Sequence, residues 1–177
     1  MIDPLMQASE RAGHALGMEA LPAVLAAQRA DDAALALFQA MDAGLARSPG
    51  HLLLTVLVYH REFGESQRAY SSRPLEYPVG GRKTLGQAPR MRHVLASGEP
   101  FIGRSRQDIV DNYADHATLL AMGCESIVNM PVHWGTEVLG TVNLLHAQGR
   151  YAEADLPRIA AWAQLSAPAF LATLQRR

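Results

Sequence analysis

Apolar and polar positions change their spacing along the chain, and each change predicts a new element. The first 47 residues are rich in alanine, with apolar residues at steps of three and four, which is typical of amphipathic helices. We predict a first helix that begins at Asp3-Pro4, where an acid and a proline suit the first turn, and ends near Gly17. A second helix is predicted over residues 22–49, with a possible break at Asp31-Asp32. Its shared apolar face is predicted to carry Leu35, Phe38, Met41 and Leu45.

From residue 51 onward, short apolar runs replace the helical spacing. Segment 51–59 (HLLLTVLVY) is β-branched and almost continuously apolar, which predicts a central strand covered on both faces. Segment 67–72 is more polar and predicts a weaker strand at an edge of the sheet. Residues 74–90 are rich in proline, glycine and charge, so we predict a loop. Two glycines and two cations in 79–83 would accommodate an anion, but a solvated loop is the simpler interpretation.

The second half of the chain predicts smaller elements and one clear hairpin. A short helix over 90–96 precedes a strand at 101–103, and Asp108 and Asp115 each begin a short helix that packs Leu119, Leu120 and Met122 inward. Strands over 126–134 and 138–146 are joined by Gly135-Thr136. Pro131 has no amide hydrogen, so its nitrogen should face an edge or a bulge.

The chain is predicted to end in one long helix over residues 154–175, with acids in its first turn. Its buried stripe is predicted to contain Ile159, Trp162, Leu165, Ala169 and Phe170. Helices, hairpin strands and a final helix in this order predict an α+β fold, with an antiparallel sheet and helices packed on one face. The hairpins exclude an all-parallel sheet.

Charge and composition narrow the classes of function. The net charge is −1 and no basic cluster occurs, which argues against a nucleic-acid partner. No apolar run is long enough to span a bilayer, and the first residues lack the apolar stretch of a secretion signal. Cys124 is the single cysteine, so an internal disulfide is impossible and a reducing compartment is indicated. We therefore expect a cytoplasmic protein without a membrane or nucleic-acid partner.

Several segments together resemble the GAF domain family. They are the run 123–132 (GCESIVNMPV), Gly135, the run 138–144 (VLGTVNL), the run 151–156 (YAEADL) and the segment 95–101 (LASGEPF). The resemblance covers roughly residues 30–175, and it divides the chain into a helical extension at 1–30 and a GAF-like domain at 31–177.

This resemblance implies a GAF/PAS-like antiparallel sheet of about five to six strands. Terminal helices would cover one face, a lid of loops and helices would cover the other, and a pocket would lie between sheet and lid. Members of the family bind cyclic nucleotides, bilins, haem or small metabolites, and one branch reduces free methionine sulfoxide. The fold alone does not choose among these, so the cofactor, if any, stays unknown.

Candidate chemistry is sparse. A reductase that resolves its oxidised cysteine through a disulfide needs a second thiol, and Cys124 is better interpreted as a small buried hydrophobe. The seven histidines are scattered, and the carboxylate pairings His60 with Glu62 and Asp115 with His116 do not repeat at metal-ligand spacing. We predict no catalytic residue, no metal site and no enzyme.

Two asparagines inside the apolar hairpin are more informative. Asn129 and Asn143 need hydrogen-bond partners if they are buried. An even-numbered hairpin connection places them on opposite faces of the sheet and an odd-numbered one sets them opposite each other, so the sequence leaves open which of them faces the pocket. Tyrosines and polar groups near the expected pocket complete our set of ligand-binding candidates, which are Tyr70, Tyr77, Arg104, Tyr113, Ser126, Asn129 and Asn143.

The leading hypothesis is a sensory or regulatory domain that binds an unidentified small molecule and forms a homodimer through its terminal helices. One alternative is an enzyme related to the methionine sulfoxide reductases that uses an external thiol. The other is a protein-interaction module without a ligand.

Overall fold

An antiparallel sheet of six strands is the centre of the fold in residues 20–176, the part of the chain that the computed structural model describes. The strand order is β3-β2-β1-β6-β5-β4, and every neighbouring pair is antiparallel. The predicted α+β fold and strand number are confirmed. The strands are β1 (Leu53–His60), β2 (Glu65–Ser71), β3 (Arg82–Thr84), β4 (Phe101–Gly103), β5 (Ser126–Trp134) and β6 (Glu137–His146).

Helices cover both faces of this sheet. The face packed against α1, α2, α6 and α7 is called the helix face, and the face packed against α3, α4 and α5 is called the lid face. The first helix that we predicted, at 3–17, lies outside the described residues. The helices are α1 (Ala20–Ala27), α2 (Ala33–Arg47), α3 (Pro89–Ser97), α4 (Arg106–Asn112), α5 (His116–Ala121), α6 (Leu156–Leu165) and α7 (Ala167–Gln175), with short 3-10 turns at Arg61–Phe63 and Glu153–Asp155.

The main core lies on the helix face. Alternate residues of β1, β5 and β6 point into it and meet the aromatic residues of the helices. The rings of Phe38 in α2 and Phe170 in α7 meet edge to face, with centroids 5.5 Å apart. Trp162 of α6 packs so closely against α2 that a Cβ at Gly44 would overlap its indole ring.

The terminal helices differ from the prediction in two places. Leu35 is 43% exposed at the margin of the α2 stripe, and Leu37 is buried instead. The last helix is not continuous, because it breaks at Ser166 between α6 and α7. Pro168 explains the break, since it lacks an amide hydrogen and its ring would clash with the carbonyl one turn earlier. The predicted break near Asp32 is present, and the Asp32 carboxylate caps α2 by accepting from the Leu35 amide at 3.1 Å.

We predicted that segment 67–72 forms an edge strand, and this was wrong, because β2 (Glu65–Ser71) has a neighbour on both sides. The segment interpreted as a solvated loop contributes β3, which pairs with β2 from Glu65↔Thr84 to Gln67↔Arg82. All three residues of β3 are exposed, so this edge strand lacks the apolar alternation by which a strand is recognised.

The hairpin of β5 and β6 carries the bulge that decides where its asparagines point. Its turn has two residues, which alone would place Asn129 and Asn143 on opposite faces. A register shift between Val132 and His133 leaves one extra residue, Leu139, in β6, so that Asn129 lies directly opposite Asn143. Pro131 comes just before this bulge, as expected for a residue without an amide hydrogen. Both asparagines therefore face the lid.

Within residues 20–176, no helix is both long and apolar enough to cross a membrane.

Candidate functional site

A cavity of about 330 Å³ opens at the border between the sheet and the lid. Its lining residues fall in two segments, 83–91 from β3 to the first turn of α3, and 110–116 from the end of α4 to the start of α5. This volume lies within the usual range of small-molecule sites.

Two smaller voids lie deeper, against the lid face of the sheet. One of about 10 Å³ is bounded by Tyr59, Arg90, Met91, Val94, Asn129 and Thr141. The other, of about 20 Å³, is bounded by side chains that include Thr55, Arg68, Tyr77, Tyr113 and Asn143. Each has room for about one water molecule.

Two side chains separate these voids from the open cavity. Met91 lines both the cavity and the first void, and Tyr113 lines both the cavity and the second. A ligand larger than water can reach the sheet only if one of these side chains moves.

The two asparagines form the centre of a buried hydrogen-bond network. The Asn129 amide nitrogen donates to the Tyr113 hydroxyl at 3.2 Å and to the Asn143 side-chain oxygen, and the Asn143 nitrogen donates to the Thr55 hydroxyl at 3.1 Å. Asn129 Oδ1 is buried and has no hydrogen-bond partner among the described residues. Such an atom costs about 1–3 kcal/mol unless water or a ligand satisfies it.

Asp115, at the start of α5, connects the lid to the sheet edge. Its Oδ2 accepts from the Tyr77 hydroxyl at 2.7 Å and from Lys83 Nζ at 3.3 Å, and Arg68 lies 3.9 Å away. Burial alone raises the pKa of this carboxyl, but the Tyr77 hydrogen bond and the Lys83 charge outweigh it and hold the pKa below the ordinary value of an aspartate. Asp115 is therefore ionised at neutral pH. Asp115 Oδ1 and Arg68 Nε are buried without a partner in residues 20–176.

Two arginines stack on two tyrosines in the space between sheet and lid. The Arg68 guanidinium lies 3.6 Å from the centre of the Tyr77 ring, and that of Arg90 lies 3.8 Å from the centre of the Tyr113 ring. Both contacts are cation–π interactions. The arginines lie where the family resemblance implied a pocket, and the voids that they border measure only about 10 and 20 Å³.

Four of the seven predicted ligand-binding residues come together here. They border the second void or belong to the hydrogen-bond network beside it, and they are Tyr77, Tyr113, Asn129 and Asn143. The other three are elsewhere.

Tyr70 lies on the helix face, so it does not line the cavity. Its hydroxyl donates to Asp42 of α2 at 2.6 Å, and its ring packs near Phe38. The reason is a second bulge, between the pairs Val56↔Tyr70 and Leu57↔Arg68. Without this bulge Tyr70 would face the lid, as we predicted, because a shift of one residue moves a side chain to the other face.

Arg104 and Ser126 have structural partners away from the cavity. Arg104 is half-exposed and pairs with Glu153 in the turn before α6. Ser126 is fully buried at the end of the hairpin, where its hydroxyl donates to the Ala147 carbonyl at 2.7 Å. Neither residue touches the voids.

The sequence analysis missed three charged residues that lie between the sheet and the lid, Arg68, Arg90 and Asp115. Asp115 was noticed only as the start of a helix and as the carboxylate next to His116. Arg68 offered one signal, since it is a cation in the middle of a strand, but Arg90 was indistinguishable from an ordinary solvated residue of a helix.

Cys124 is fully buried beneath the lid. Burial raises the pKa of its thiol to about 11, so little thiolate forms at neutral pH. The described part of the chain contains no group of three metal-ligating side chains.

The chain is similar to known proteins in fold but not in sequence. No family model and no curated protein sequence matches the chain. Solved structures do match, one of them being the free methionine-R-sulfoxide reductase of Neisseria meningitidis in complex with its substrate, at a TM-score of 0.66 and 14% identity over 100% of this chain and 96% of that one.

Two GAF domains illustrate the range of the other matches. The GAF domain of a phosphoenolpyruvate-protein phosphotransferase from Coxiella burnetii has a TM-score of 0.65 and 14% identity, over 93% of this chain and 94% of that one. The phycocyanobilin-bound GAF domain of a cyanobacterial phytochrome has a TM-score of 0.56 and 19% identity, over 80% and 88%. The chain therefore has the fold of GAF domains.

Proposed function

We propose that this chain is a sensory or regulatory domain that binds a small molecule between the lid and the sheet and does not carry out catalysis. The observation that carries the proposal is a set of three buried polar atoms around the cavity and the two inner voids. Asn129 Oδ1, Arg68 Nε and Asp115 Oδ1 have no hydrogen-bond partner in the described residues.

Buried polar atoms without partners are rare in folded proteins, because each one raises the free energy of the folded state. Here three occur on one face of one sheet, beside a cavity of about 330 Å³. A bound molecule with donors and acceptors would satisfy them. The fold neighbours include domains of sensor histidine kinases and a bilin-bound domain of a phytochrome, which fits a sensory role.

The chemistry of Cys124 argues against the enzyme alternative. Two fold neighbours are free methionine-R-sulfoxide reductases, and such a reaction here would depend on the chain's single thiol. That thiol is fully buried, with a pKa raised to about 11, so it is a poor nucleophile toward a molecule in the cavity.

Native mass spectrometry of gently purified protein tests the proposal, followed by a thermal-shift screen of small metabolites if no ligand is retained. We expect a molecule that raises the unfolding midpoint of the parent chain, because a ligand of the folded state alone stabilises it. The Asn129→Ala variant should bind that molecule more weakly.

Tyr70→Phe is the matched control, because Tyr70 lies on the opposite face of the same sheet. It should bind as the parent does. The proposal is wrong if Asn129→Ala binds as tightly as the parent, or if neither the spectra nor the screen finds any ligand.

A further inference from the structure

We infer that the ligand carries an anionic group, a carboxylate or a phosphate, and that Arg90 binds this group between α3 and the sheet. The inference rests on the proposed function and adds the chemical class of the ligand.

Arg90 is a buried cation without a carboxylate. Its exposed fraction is only 8%. The nearest partners of its guanidinium are the Asn112 carbonyl oxygen, at 3.2 Å, and the face of the Tyr113 ring. No carboxylate within residues 20–176 lies at ion-pair distance from it. Buried charges are ordinarily paired, because desolvation of a lone charge is costly.

Arg68 provides the internal comparison. It is also largely buried and also stacks on a tyrosine, but Asp115 lies 3.9 Å from its guanidinium. Asp115 additionally binds Lys83, so this carboxylate is shared between two cations. Arg90 is therefore the buried cation whose charge no carboxylate of the described region compensates.

The surroundings of Arg90 are polar in a way that suits an anion. The void beside it is also bordered by Tyr59 and Thr141, whose hydroxyls can donate hydrogen bonds. A guanidinium presents a planar pair of donors that matches carboxylate and phosphate oxygens. Asn129 Oδ1 borders the same void as an acceptor, so the part of the ligand next to that atom must offer a donor.

The anion has to enter from the open cavity. Met91 and Tyr113 form the partition, and Tyr113 is the ring on which Arg90 stacks. An entering anion would replace the ring as the partner of the guanidinium. The ligand-free arrangement is thus a closed one, in which the aromatic face takes the place of the anion.

The test compares matched anionic and neutral probes on the full chain. Benzoate and phenyl phosphate are the anionic probes, benzamide and phenol the neutral ones, and inorganic phosphate separates a free ion from an organic ligand. Binding is measured by calorimetry and by the shift of the unfolding midpoint at constant ionic strength. We expect the anionic probes to bind and the neutral ones not to, and the preferred anion identifies carboxylate or phosphate.

Variants assign the binding to Arg90. Arg90→Met should weaken binding of the anionic probes about tenfold or more, the loss expected for a charge-assisted hydrogen bond. Arg90→Lys keeps the charge without the planar fork and should lose less. Arg104→Gln is the matched control, because Arg104 is a half-exposed arginine paired with Glu153 away from the cavity; its binding should equal that of the parent.

The outcomes separate the two proposals. If the neutral probes bind as well as the anionic ones, the anionic class is wrong while the binding site stands. If Arg90→Met, or Arg90→Lys should the former not fold, binds anions as tightly as the parent and Arg104→Gln do, the assignment to Arg90 is wrong. If no probe of either class binds, both proposals are overturned.

Discussion

At the scale of single residues, the lid face of the sheet depends on the pair Asn129–Asn143. Asn143 accepts from Asn129 and donates to Thr55. Asn143→Ala would remove both contacts and leave buried groups without partners. We expect the free energy of unfolding to fall by about 1–3 kcal/mol, measured by urea denaturation.

Gln39→Ala is the control for this variant. Gln39 is exposed on α2, and surface substitutions of this kind stay within about 0.5 kcal/mol of the parent. If Asn143→Ala unfolds at the same urea concentration as Gln39→Ala, the network does not stabilise the fold.

Gly140 is a second residue on which the packing of the sheet depends, because it has no Cβ and therefore allows β1 and Phe170 to come close. A Cβ at this position would overlap the Leu57 carbonyl oxygen of the neighbouring strand and approach Phe170 to 2.9 Å. We expect Gly140→Ala to destabilise the protein by about 3 kcal/mol or more, since backbone cannot move aside as a flexible side chain does. Thermal and urea unfolding measure the effect.

Gly81→Ala makes the same chemical change where nothing lies within 4 Å of the added carbon and the backbone φ is not positive. Its stability should match that of the parent. Equal losses in the two variants would show that alanine at Gly140 is harmful for reasons other than this overlap.

At the scale of elements, the positions of most strands could be predicted from the sequence. The side of the sheet to which their side chains point could not. The hairpin of residues 126–146 was predicted almost to the residue, because its apolar runs and its Gly135-Thr136 turn are local signals. The two bulges, beside Val56 and beside Val132, have no such signal. Each bulge shifts the register by one residue, so Tyr70 was placed on the wrong face and the facing of Asn129 and Asn143 stayed open.

The charged residues of the site escaped prediction for a related reason. Arg90 and Asp115 belong to different lid elements, α3 and the start of α5, that come together only because both pack on the same sheet. No local spacing in the sequence reports such a meeting. The helix at 90–96 was itself correctly predicted, but the sequence did not indicate that the start of α5 lies near it.

The partition between the cavity and the sheet yields a prediction about α3. Met91 is buried in the partition, and Met91→Ala would join the first void to the open cavity. We expect the variant to lose about 2–5 kcal/mol of stability and to bind bulky ligands faster, because the blocking side chain is gone. Stopped-flow binding and urea unfolding measure the two effects.

Met122→Ala is the matched control, because Met122 is partly buried at the end of α5 and does not line the cavity. It should lower stability without a change in the association rate. Equal association rates in Met91→Ala and the parent would show that Met91 does not block entry.

The contact between the lid and the edge strand predicts a pH dependence. The folded-state pKa of Asp115 is lowered from its ordinary value: burial opposes this shift, and the Tyr77 hydrogen bond favours it. A lowered pKa stabilises the folded state above the unfolded pKa, and this contribution is lost as the pH falls through the folded value. Tyr77→Phe should therefore be less stable than the parent at neutral pH, and the difference should shrink below about pH 4.

Unfolding midpoints of the two proteins across this pH range provide the measurement. Tyr59→Phe is a suitable control, since Tyr59 is buried on the same face but does not contact Asp115. A difference between Tyr77→Phe and the parent that is constant with pH would exclude the carboxylate as its cause.

At the scale of the whole molecule, the two sides of the sheet have different roles. The helix face holds the larger apolar core, whereas the lid face holds the buried polar network, the voids and the stacked arginines. The lid helices α4 and α5 have only seven and six residues, and helices so short depend on packing for stability. A ligand that replaces the Arg90–Tyr113 contact would change that packing, and it can shift the lid only by its difference in affinity between the closed and open arrangements.

The outer side of the helix layer is where we expect a second copy of the chain to bind. In α1, Val24 and Ala27 are buried while Leu21 and Leu25 are exposed, and Leu35 of α2 is exposed as well. Exposed apolar side chains on neighbouring helices favour association. We therefore expect a homodimer through these helices, and we expect Leu25→Glu to make it a monomer at micromolar concentration, because a dimer would bury the new charge.

Sedimentation velocity of the parent and two variants decides this prediction. Leu75→Glu is the control, because Leu75 is 93% exposed in the loop after β2 and the same change there should leave the dimer intact. A parent chain that sediments as a monomer contradicts the prediction directly. A dimer that survives Leu25→Glu but dissociates with Leu75→Glu would instead place the interface on the loop side, and a ligand at the lid would then act on a different pair of surfaces.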